Sequence, residues 1–261
     1  MLTGMNPAEF TNIAAVERDL WWYRGMERTF YRFVEPMVSN HRNLRVLEAG
    51  CGTGFMSRSM RQHLGWDILP MDLSLVGLAH ARRLGLDRLV AGNIVQLPYR
   101  DASFDAVVSL DVIAHLDQGP DEEAFEEFAR VLRPGGFLFL RSSALPILRS
   151  RHSMFVQERQ RYTKSRLRHL CRTAGLDVRR VTYLNSLLLP VAFLKFRLWE
   201  PLTGAAPASG VSMPPRWLNH LLEMPLKAES ALVGAKVNLP LGQSLLLAAT
   251  KPAKPPARHG G

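Results

Sequence analysis

The stretch LRVLEAGCGTG, at positions 44–54, places residues that could bind a ligand directly after a short apolar run. An acidic residue, Glu48, stands at the end of that run, and three glycines follow at alternate positions. A strand that ends in a glycine turn and opens a helix presents backbone N–H groups to a ligand, and glycine lets the backbone approach closely. The third glycine comes one residue too early for the dinucleotide fingerprint. The residues expected at the ligand are Glu48, Gly50, Cys51, Gly52 and Gly54.

Polar residues also follow the next three predicted strands. Asp72 closes a strand over Trp66–Met71, and its carboxylate suits the two hydroxyls of a ribose. Asn93 follows a strand over Arg88–Ala91. In open parallel sheets, ligands bind at the carboxyl ends of the strands, where the strand order reverses. We therefore expect one site at these strand ends, which the strand over residues 104–110 completes with Ser109, Leu110 and Asp111.

Predicted helices alternate with these strands along the chain. Ser74 and Thr163 are suited to cap two of the helices, because a hydroxyl accepts a hydrogen bond from a free N–H of the first turn. Alternation at this spacing predicts a parallel sheet with helices on both faces. The predicted helices are Phe55–Leu64, Leu75–Leu84, Asp121–Leu132 and the one that Thr163 caps, and the later strands are Phe137–Leu140, Leu176–Leu184 and Ser244–Thr250.

Four stretches between Leu44 and Ala144 resemble the class I S-adenosylmethionine-dependent methyltransferases, and most closely the broad group that includes the quinone-biosynthesis methylases. They read VLEAGCGTG, MDLS, AGNIVQLPYRDASFDAVVSLDVIAHL and RVLRPGGFLFL. The resemblance implies an α/β fold with a Rossmann-like, doubly wound sheet of seven strands, mostly parallel with an antiparallel last strand. It also implies that the cofactor is S-adenosyl-L-methionine.

The same resemblance implies a role for individual residues. The glycine loop would hold the methionine moiety, Asp72 the ribose and Asn93 the adenine amino group, while Ile94 would add a backbone N–H and an apolar wall. Asn93 stands where the family commonly has Asp, and an amide carbonyl can accept the same hydrogen bond. The implied cofactor-binding residues are Glu48, Gly50, Cys51, Gly52, Gly54, Asp72, Leu73, Asn93, Ile94, Ser109 and Leu110.

His115 is the predicted catalytic base. It is the fifth residue of the stretch DVIAHL after the fourth strand, where Ala114 replaces the glutamate that is frequent in the family. A sulfonium methyl is already electrophilic, so the protein must chiefly align the acceptor and take its proton when that acceptor is a hydroxyl. A histidine has a suitable pKa for this near neutral pH. The alternatives are that His115 orders its loop or binds the cofactor's carboxylate.

Residues 1–43 form a predicted N-terminal helical segment, with helix expected over Phe10–Val38. Its aromatic and basic cluster includes Trp22, Tyr23 and Arg24, which we predict to bind the substrate, since N-terminal helices cap the pocket in the family that the chain resembles. The alternative is that the aromatic side chains pack the helix against the sheet.

Residues 185–241 form a predicted helical cap between a core at 44–184 and the last strand at 242–250. Roughly 55 residues without core strands are too many for an idle loop. Two apolar helices, Leu187–Trp199 and Trp217–Ala231, carry more apolar surface than an exterior tolerates. They cover an apolar or lipid-like acceptor, pack on a second subunit, or dock on a membrane. Residues 251–261 are a predicted disordered tail.

The charge of the chain and the composition of its basic segment limit the classes of partner that it is expected to bind. The net charge is +10, and residues 141–180 hold eleven Arg or Lys against two acidic residues. Such a charge permits nucleic acid, an anionic membrane or an acidic substrate, although an arginine-rich composition alone also explains it. The segment has few aromatic residues to stack bases, and no N-P-P-[YF] motif follows the fourth strand. The expected partners are a small-molecule methyl acceptor and, peripherally, an anionic membrane, but not nucleic acid, with the chain a monomer or homodimer.

The chain has two cysteines, and no group of residues has metal-ligand spacing, which predicts a protein without a metal site in a reducing compartment. The N-terminus does not resemble a leader and no long apolar run is present, so the predicted location is the cytoplasm.

Three functions remain open. The first is methyl transfer to a hydroxyl of an apolar or lipid-like metabolite. The second is RNA methylation through residues 141–180, and the third is a regulator that binds S-adenosylmethionine without turnover.

Overall fold

A seven-stranded sheet forms the centre of the computed structural model, which describes residues 5–39, 41, 43–204 and 206–253. The strands are β1 (Arg45–Ala49), β2 (Asp67–Asp72), β3 (Val90–Ala91), β4 (Phe104–Leu110), β5 (Leu132–Ser143), β6 (Asp177–Leu184) and β7 (Ser244–Thr250). Their order is β3-β2-β1-β4-β5-β7-β6, and β7 alone runs antiparallel to its neighbours β5 and β6. The predicted fold class is confirmed.

The strand order reverses at β1, which lies between β2 and β4. Val46 and Leu47 of β1 are completely buried, because helices cover both faces of the sheet. The crevice beyond the carboxyl ends of β1 and β4 is therefore the place where this fold binds ligands.

Ten helices are present in the described part of the chain. Those predicted around the sheet appear within one or two residues of their expected bounds. Ser74 and Thr163 cap two of them as expected, each hydroxyl oxygen accepting from an N–H at 3.2 Å. The helices are α1 (Pro7–Val16), α2 (Trp21–Val38), α3 (Phe55–Leu64), α4 (Leu75–Arg83), α5 (Pro120–Val131), α6 (Arg151–Phe155), α7 (Lys164–Thr173), α8 (Leu189–Leu194), α9 (Glu200–Thr203) and α10 (Arg216–Gly234).

The N-terminal segment differs from the single helix that the sequence predicted, because the chain turns between α1 and α2. Asn219 of α10 holds this turn: its Oδ1 accepts from the Trp21 N–H and its Nδ2 donates to the Asp19 carbonyl, both at 2.9 Å. The side chain that caps α2 is therefore almost 200 residues away in sequence, where no local pattern could reveal it.

Residues 185–241, predicted as one cap, divide into two parts. The first runs through α8, a π-helical turn at Lys195–Trp199 and α9. The second is α10, which packs along α2 and belongs to the core: Leu226 is completely buried, and a Cβ at Gly25 would come within 2.3 Å of its Cδ1. The run from Lys195 to Thr203 and the loop that follows it line the cavity described below, and no residue of α10 does so.

The predicted disordered tail at 251–261 falls mostly outside the described residues, which end at Ala253. Its first residue, Lys251, is anchored. The ammonium group donates to the carbonyls of Ala129 and Leu132 at 2.7 and 2.8 Å.

Candidate functional site

A cavity of about 1160 Å³ opens at the carboxyl ends of β1, β2 and β4. It is larger than the roughly 300–1,000 Å³ of a pocket for one small ligand, so it has room for a cofactor and an acceptor together. Helices α1 and α6, the start of α2 and the run from Lys195 to Thr203 complete its walls. The predicted site residues that line it are Trp22, Tyr23, Glu48, Gly50, Cys51, Gly52, Asp72, Leu73, Asn93, Ile94, Leu110 and His115.

Three predicted site residues do not line the cavity. The Arg24 guanidinium lies 3.6 Å from the carboxylate of Glu223 on α10. The Ser109 hydroxyl is buried in the sheet and donates to the Ala49 carbonyl at 2.9 Å. Gly54 precedes α3 with φ 83°, and a Cβ there would lie 2.7 Å from the Ala81 Cβ. These three residues therefore contact neighbouring helices and strands and do not face the cavity.

The glycine loop uses its own N–H groups to close its turn. The N–H groups of Gly50 and Cys51 both donate to the Met71 carbonyl at 2.8 Å, and that of Gly52 donates to Asp72 Oδ2 at 2.7 Å. The expectation that these three groups are free for a ligand is therefore wrong. The loop binds the end of β2 instead, and this contact brings the β2 carboxylate beside the end of β1.

Carboxylates dominate the wall beside the glycine loop. Burial raises the pKa of Glu48 to about 8. The hydrogen bond from the Ser57 hydroxyl lowers this pKa, and the negative charge of Asp72 raises it. Burial also raises the pKa of Asp72, although the hydrogen bonds from the N–H groups of Ser74 and Gly52 act to lower it. Burial raises the pKa of Glu17 in the same way. Buried carboxylates without cationic partners favour a ligand that is cationic or rich in hydroxyls.

S-adenosylmethionine fits this donor set, since it carries an ammonium group, a sulfonium group and two ribose hydroxyls. Each carboxylate oxygen of Asp72 accepts one backbone N–H at 2.7 Å, from Gly52 or Ser74. Each oxygen therefore keeps a lone pair for a hydroxyl. Asn93 and the buried Ile94 lie at the next strand end, where Asn93 Oδ1 accepts from the Val95 N–H at 3.2 Å and retains a second lone pair.

His115 lines the same cavity from a 3-10 turn after β4. Its Nδ1 is 3.4 Å from the Gln157 carbonyl oxygen, so a hydrogen on Nδ1 leaves the Nε2 lone pair available. Burial lowers the pKa of His115, opposed by the Gln157 carbonyl and by the charges of Glu158, Asp111 and Asp72. The imidazole is therefore neutral at pH 7, as a general base must be.

Arg141 and Asp111 form an ion pair in the cavity wall that the sequence did not reveal as a pair. Arg141 Nη2 lies 2.6 Å from Asp111 Oδ2, and the guanidinium carbon is 5.2 Å from the ring centroid of Trp22. Asp111 has φ 61°, a left-handed conformation that is uncommon outside glycine and frequent at functional sites. This pair fixes the position of Trp22, one of the predicted substrate-binding residues.

His152 also lines the cavity. Its Nδ1 accepts from the Gly210 N–H at 3.0 Å and lies 3.6 Å from Glu9 Oε1. Burial lowers its pKa as well, against the charges of Glu9 and Glu158. No sequence signal joined these residues, because α1, α6 and the loop at Gly210 are far apart in the chain.

Replacing Glu48 by Gln is expected to flatten the pH dependence of stability. A glutamate whose pKa rises from 4.5 to about 8 on folding binds a proton more tightly when folded. The stabilisation that Glu48 gives through this proton is complete at a pH below its pKa in the unfolded chain. It is lost as the pH rises through its pKa in the folded protein. Urea unfolding of both proteins without cofactor, at about pH 5 and about pH 9, measures this. The same difference in unfolding free energy at both pH values would contradict the assignment.

Known proteins match this chain over the part that builds the strand-end motifs. A family model described as a methyltransferase domain matches residues 47–140. A malonyl-[acyl-carrier protein] O-methyltransferase of Pectobacterium atrosepticum is 37% identical over 114 residues, which is 43% of this chain and 44% of that protein. A 24-methylenesterol C-methyltransferase 2 of Oryza sativa subsp. japonica is 34% identical over 99 residues, 35% of this chain and 27% of that protein. The chain thus spans less than half the length of either relative.

Solved structures share the fold over most of the chain. The phosphoethanolamine N-methyltransferase 2 of Haemonchus contortus, in complex with S-adenosyl-L-methionine, superposes with a TM-score of 0.56 at 20% identity, covering 88% of this chain and 53% of that one. The [4+2]-cyclase SpnF superposes with a TM-score of 0.53, also at 20% identity, covering 85% and 82%.

The cyclase shows that this fold alone does not decide the reaction, so the assignment rests on the sequence match. Residues 47–140 of this chain match a methyltransferase domain, and this stretch holds the strand-end motifs that resemble the class I S-adenosylmethionine-dependent methyltransferases.

Proposed function

We propose that this chain transfers the methyl group of S-adenosylmethionine to a hydroxyl of an apolar or lipid-like small molecule. The observation that carries the proposal is a single cavity whose lining combines two kinds of side chain. Carboxylates line it at the strand ends. Apolar and aromatic side chains from α2 and the cover line it as well, among them Trp22, Phe196 and Trp199.

Residues at the strand ends would hold the cofactor, which when bound supplies an electrophilic methyl group on its sulfonium centre. Asp72 accepts hydrogen bonds from ribose hydroxyls. Glu48 and Glu17 stabilise positive charge beside the glycine loop, and binding a cation lowers their raised pKa values. Asn93 and Ile94 receive the adenine. The resemblance to the methyltransferases implies the roles of Asp72, Asn93 and Ile94, and the acceptor atoms and apolar walls described above support them.

His115 takes the proton of the acceptor hydroxyl at Nε2. The Gln157 carbonyl holds the hydrogen on Nδ1, which orients the ring and keeps Nε2 free. Because burial keeps the imidazole neutral, no proton must leave before the hydroxyl can bind. The Arg141–Asp111 pair holds Trp22 against the acceptor side, where an aromatic ring aligns an apolar substrate.

Arg151 fastens the cover over the cavity. Its backbone N–H donates to Glu200 Oε2 at 2.9 Å, and its guanidinium donates to the Glu200 carbonyl and to Thr203 Oγ1, the latter at 2.9 Å. This cluster ties the end of the cover, at α9, to the start of α6. A fastened cover excludes water and holds the acceptor in place.

Replacing Arg151 by Ala is expected to raise the KM for the acceptor about three- to tenfold, the effect of losing one or two hydrogen bonds of the cover. The dissociation constant of S-adenosylmethionine should stay unchanged, because Arg151 lies away from the strand ends. Steady-state kinetics and calorimetry separate the two effects. Arg172→Ala, on the exposed side of α7 in the same basic segment, is the matched control and should change neither.

The names of the relatives support a small-molecule acceptor with transfer to oxygen or onto an apolar framework, since one is an O-methyltransferase and another acts on a sterol. The basic segment gives RNA little to bind, because most of its cations donate to groups within the protein. The cations so engaged are Arg141, Arg149, Arg151, Arg161, Lys164, Arg166, Arg179 and Arg180.

Methyl-labelled S-adenosylmethionine tests the proposal directly. The protein is incubated with the labelled cofactor and with separate fractions of a cell extract: solvent-extractable lipids, water-soluble metabolites and RNA. Label is expected in a solvent-extractable product, and fragmentation in a mass spectrometer should place the methyl group on oxygen. Label in RNA, or cofactor binding without any labelled product, would overturn the proposal and favour one of the other two functions.

A further inference from the structure

The cover over the cavity is an amphipathic helical run whose apolar side faces outward. Five aliphatic side chains along it are each half or more exposed, and their spacing of four, three, four and four residues places them along one side. We call them the outer stripe: Leu187, Val191, Leu194, Leu198 and Leu202. A helix packed on a soluble protein normally turns such a stripe inward.

Helix α10 repeats this pattern in its first turns. Trp217, Leu221 and Met224, spaced by four and three residues, are each more than half exposed. The opposite side of the helix carries the buried Asn219, Glu223 and Leu226, which face α2. Both parts of the 185–241 segment therefore leave a row of large apolar side chains in the solvent, more than isolated exposed residues account for.

The exposed charges of the segment itself have one sign. All three acidic residues of the segment are turned inward: Glu200 accepts from Arg151, Glu223 pairs with Arg28, and Glu229 accepts from the N–H groups at residues 185 and 186. The cations are exposed, and among the described residues of the segment they supply every exposed ionic charge: Lys195, Arg197, Arg216, Lys227 and Lys236.

We propose that this surface docks on an anionic lipid bilayer, with the outer stripe and the Trp217 row lying in the interface. Large apolar side chains bordered by cations are what a helix needs to lie in the plane of such a membrane. Indole rings favour the boundary between headgroups and acyl chains, which suits Trp217. None of the described helices is long and apolar enough to cross a bilayer, so the contact is peripheral.

A bilayer explains the surface better than a second copy of the chain does. In a two-fold dimer the same patch meets itself, and here that would bring the exposed cations of both copies together without an exposed acidic partner from the segment. Anionic headgroups supply the missing opposite charge. The inner side of the cover, at Phe196 and Thr203, lines the cavity, so docking would place the cavity beside the membrane.

Sedimentation with vesicles tests the docking without any methyl acceptor, so its result is independent of the proposed reaction. The full chain is mixed with vesicles of phosphatidylcholine, or of phosphatidylcholine with phosphatidylglycerol. Binding at least about tenfold stronger to the anionic vesicles is expected, and added salt should weaken it. A chain that sediments with neither kind of vesicle, or equally with both, would overturn the proposal.

A triple variant, Val191→Ser, Leu198→Ser and Leu202→Ser, removes part of the outer stripe and should weaken vesicle binding about tenfold or more. The matched control replaces three other exposed apolar residues, Leu75, Ile147 and Met154, by Ser and should bind like the wild type. Equal loss in both triple variants would overturn the proposal.

A second variant, Arg197→Gln with Arg216→Gln, keeps the apolar surface and should lose the preference for anionic vesicles, which tests the proposal even if the serine variant folds poorly. Light scattering without vesicles gives the remaining check. If the wild type is a dimer and the serine variant is a monomer, the surface binds a second copy of the chain, and the membrane assignment is overturned.

Discussion

His115→Ala is expected to lower the turnover of methyl transfer by about 10²–10⁴, the usual contribution of a general base. The dissociation constant of S-adenosylmethionine should change little, since the role proposed for His115 is to take the proton of the acceptor and not to bind the cofactor. Single-turnover rates and calorimetry on the same preparation measure the two quantities. A collapse of cofactor affinity together with the rate would place His115 in the cofactor site, the alternative left open by its position after β4.

The pH profile gives an independent check on His115. Because burial lowers its pKa below the ordinary 6.5, the neutral and active form persists into mildly acidic solution. The rate should therefore fall only below pH 6.5, with a midpoint at the lowered pKa, and this limb should disappear in His115→Ala. His169→Ala, at an exposed histidine of α7, is the control and should keep both the rate and the limb.

Asp72→Ala is expected to weaken the binding of S-adenosylmethionine about ten- to a hundredfold, through the loss of one or two charge-assisted hydrogen bonds to the ribose. The variant also removes the acceptors for the N–H groups of Gly52 and Ser74, so the glycine loop loses one of its attachments to β2 and keeps those of Gly50 and Cys51 to the Met71 carbonyl. Both effects act on the cofactor half of the cavity. Calorimetry that gives equal affinity for wild type and variant would refute the ribose assignment.

Asp67→Ala is the matched control for Asp72, because the two aspartates stand at opposite ends of β2. Asp67 is paired with Arg88 near the surface, and that pairing lowers its pKa. Removing it takes away an exposed ion pair of small energetic value and leaves the site intact. Cofactor affinity should be unchanged. An equal loss in both variants would indicate a general effect on β2 and not a role for one carboxylate.

The sequence alone predicted the sheet and the residues at its strand ends. Strands β1 and β4 and helix α3 lie where apolar runs and capping signals placed them, because such signals act over a few residues. Asp72 and Asn93 could be predicted at the site for a related reason: parallel strands bring their carboxyl ends to one edge, whatever the helices between them do. The identity of the cofactor came from the resemblance to known methyltransferases.

Other features of the site depended on contacts between distant parts of the chain. The free N–H groups expected in the glycine loop are bonded to the end of β2, and Arg24 faces α10 and not the cavity. His152 reached the cavity only because α6 and α1 meet there. Local patterns carry no information on which side chains meet across such separations, so these errors were of one kind.

The predicted cap at residues 185–241 shows most clearly which features the sequence predicts and which depend on the tertiary structure. Its apolar helices were evident from the sequence, because spacing shows that a helix has an apolar side. Which side faces the protein was not, since that depends on what the remaining chain leaves uncovered. The sequence by itself determined the fold class, the strand-end residues and the family. Only the tertiary structure decided that α10 belongs to the core, that the run from Lys195 to Thr203 lines the cavity, and that the outer stripe points into solvent, because burial is a property of the packed chain and not of any segment.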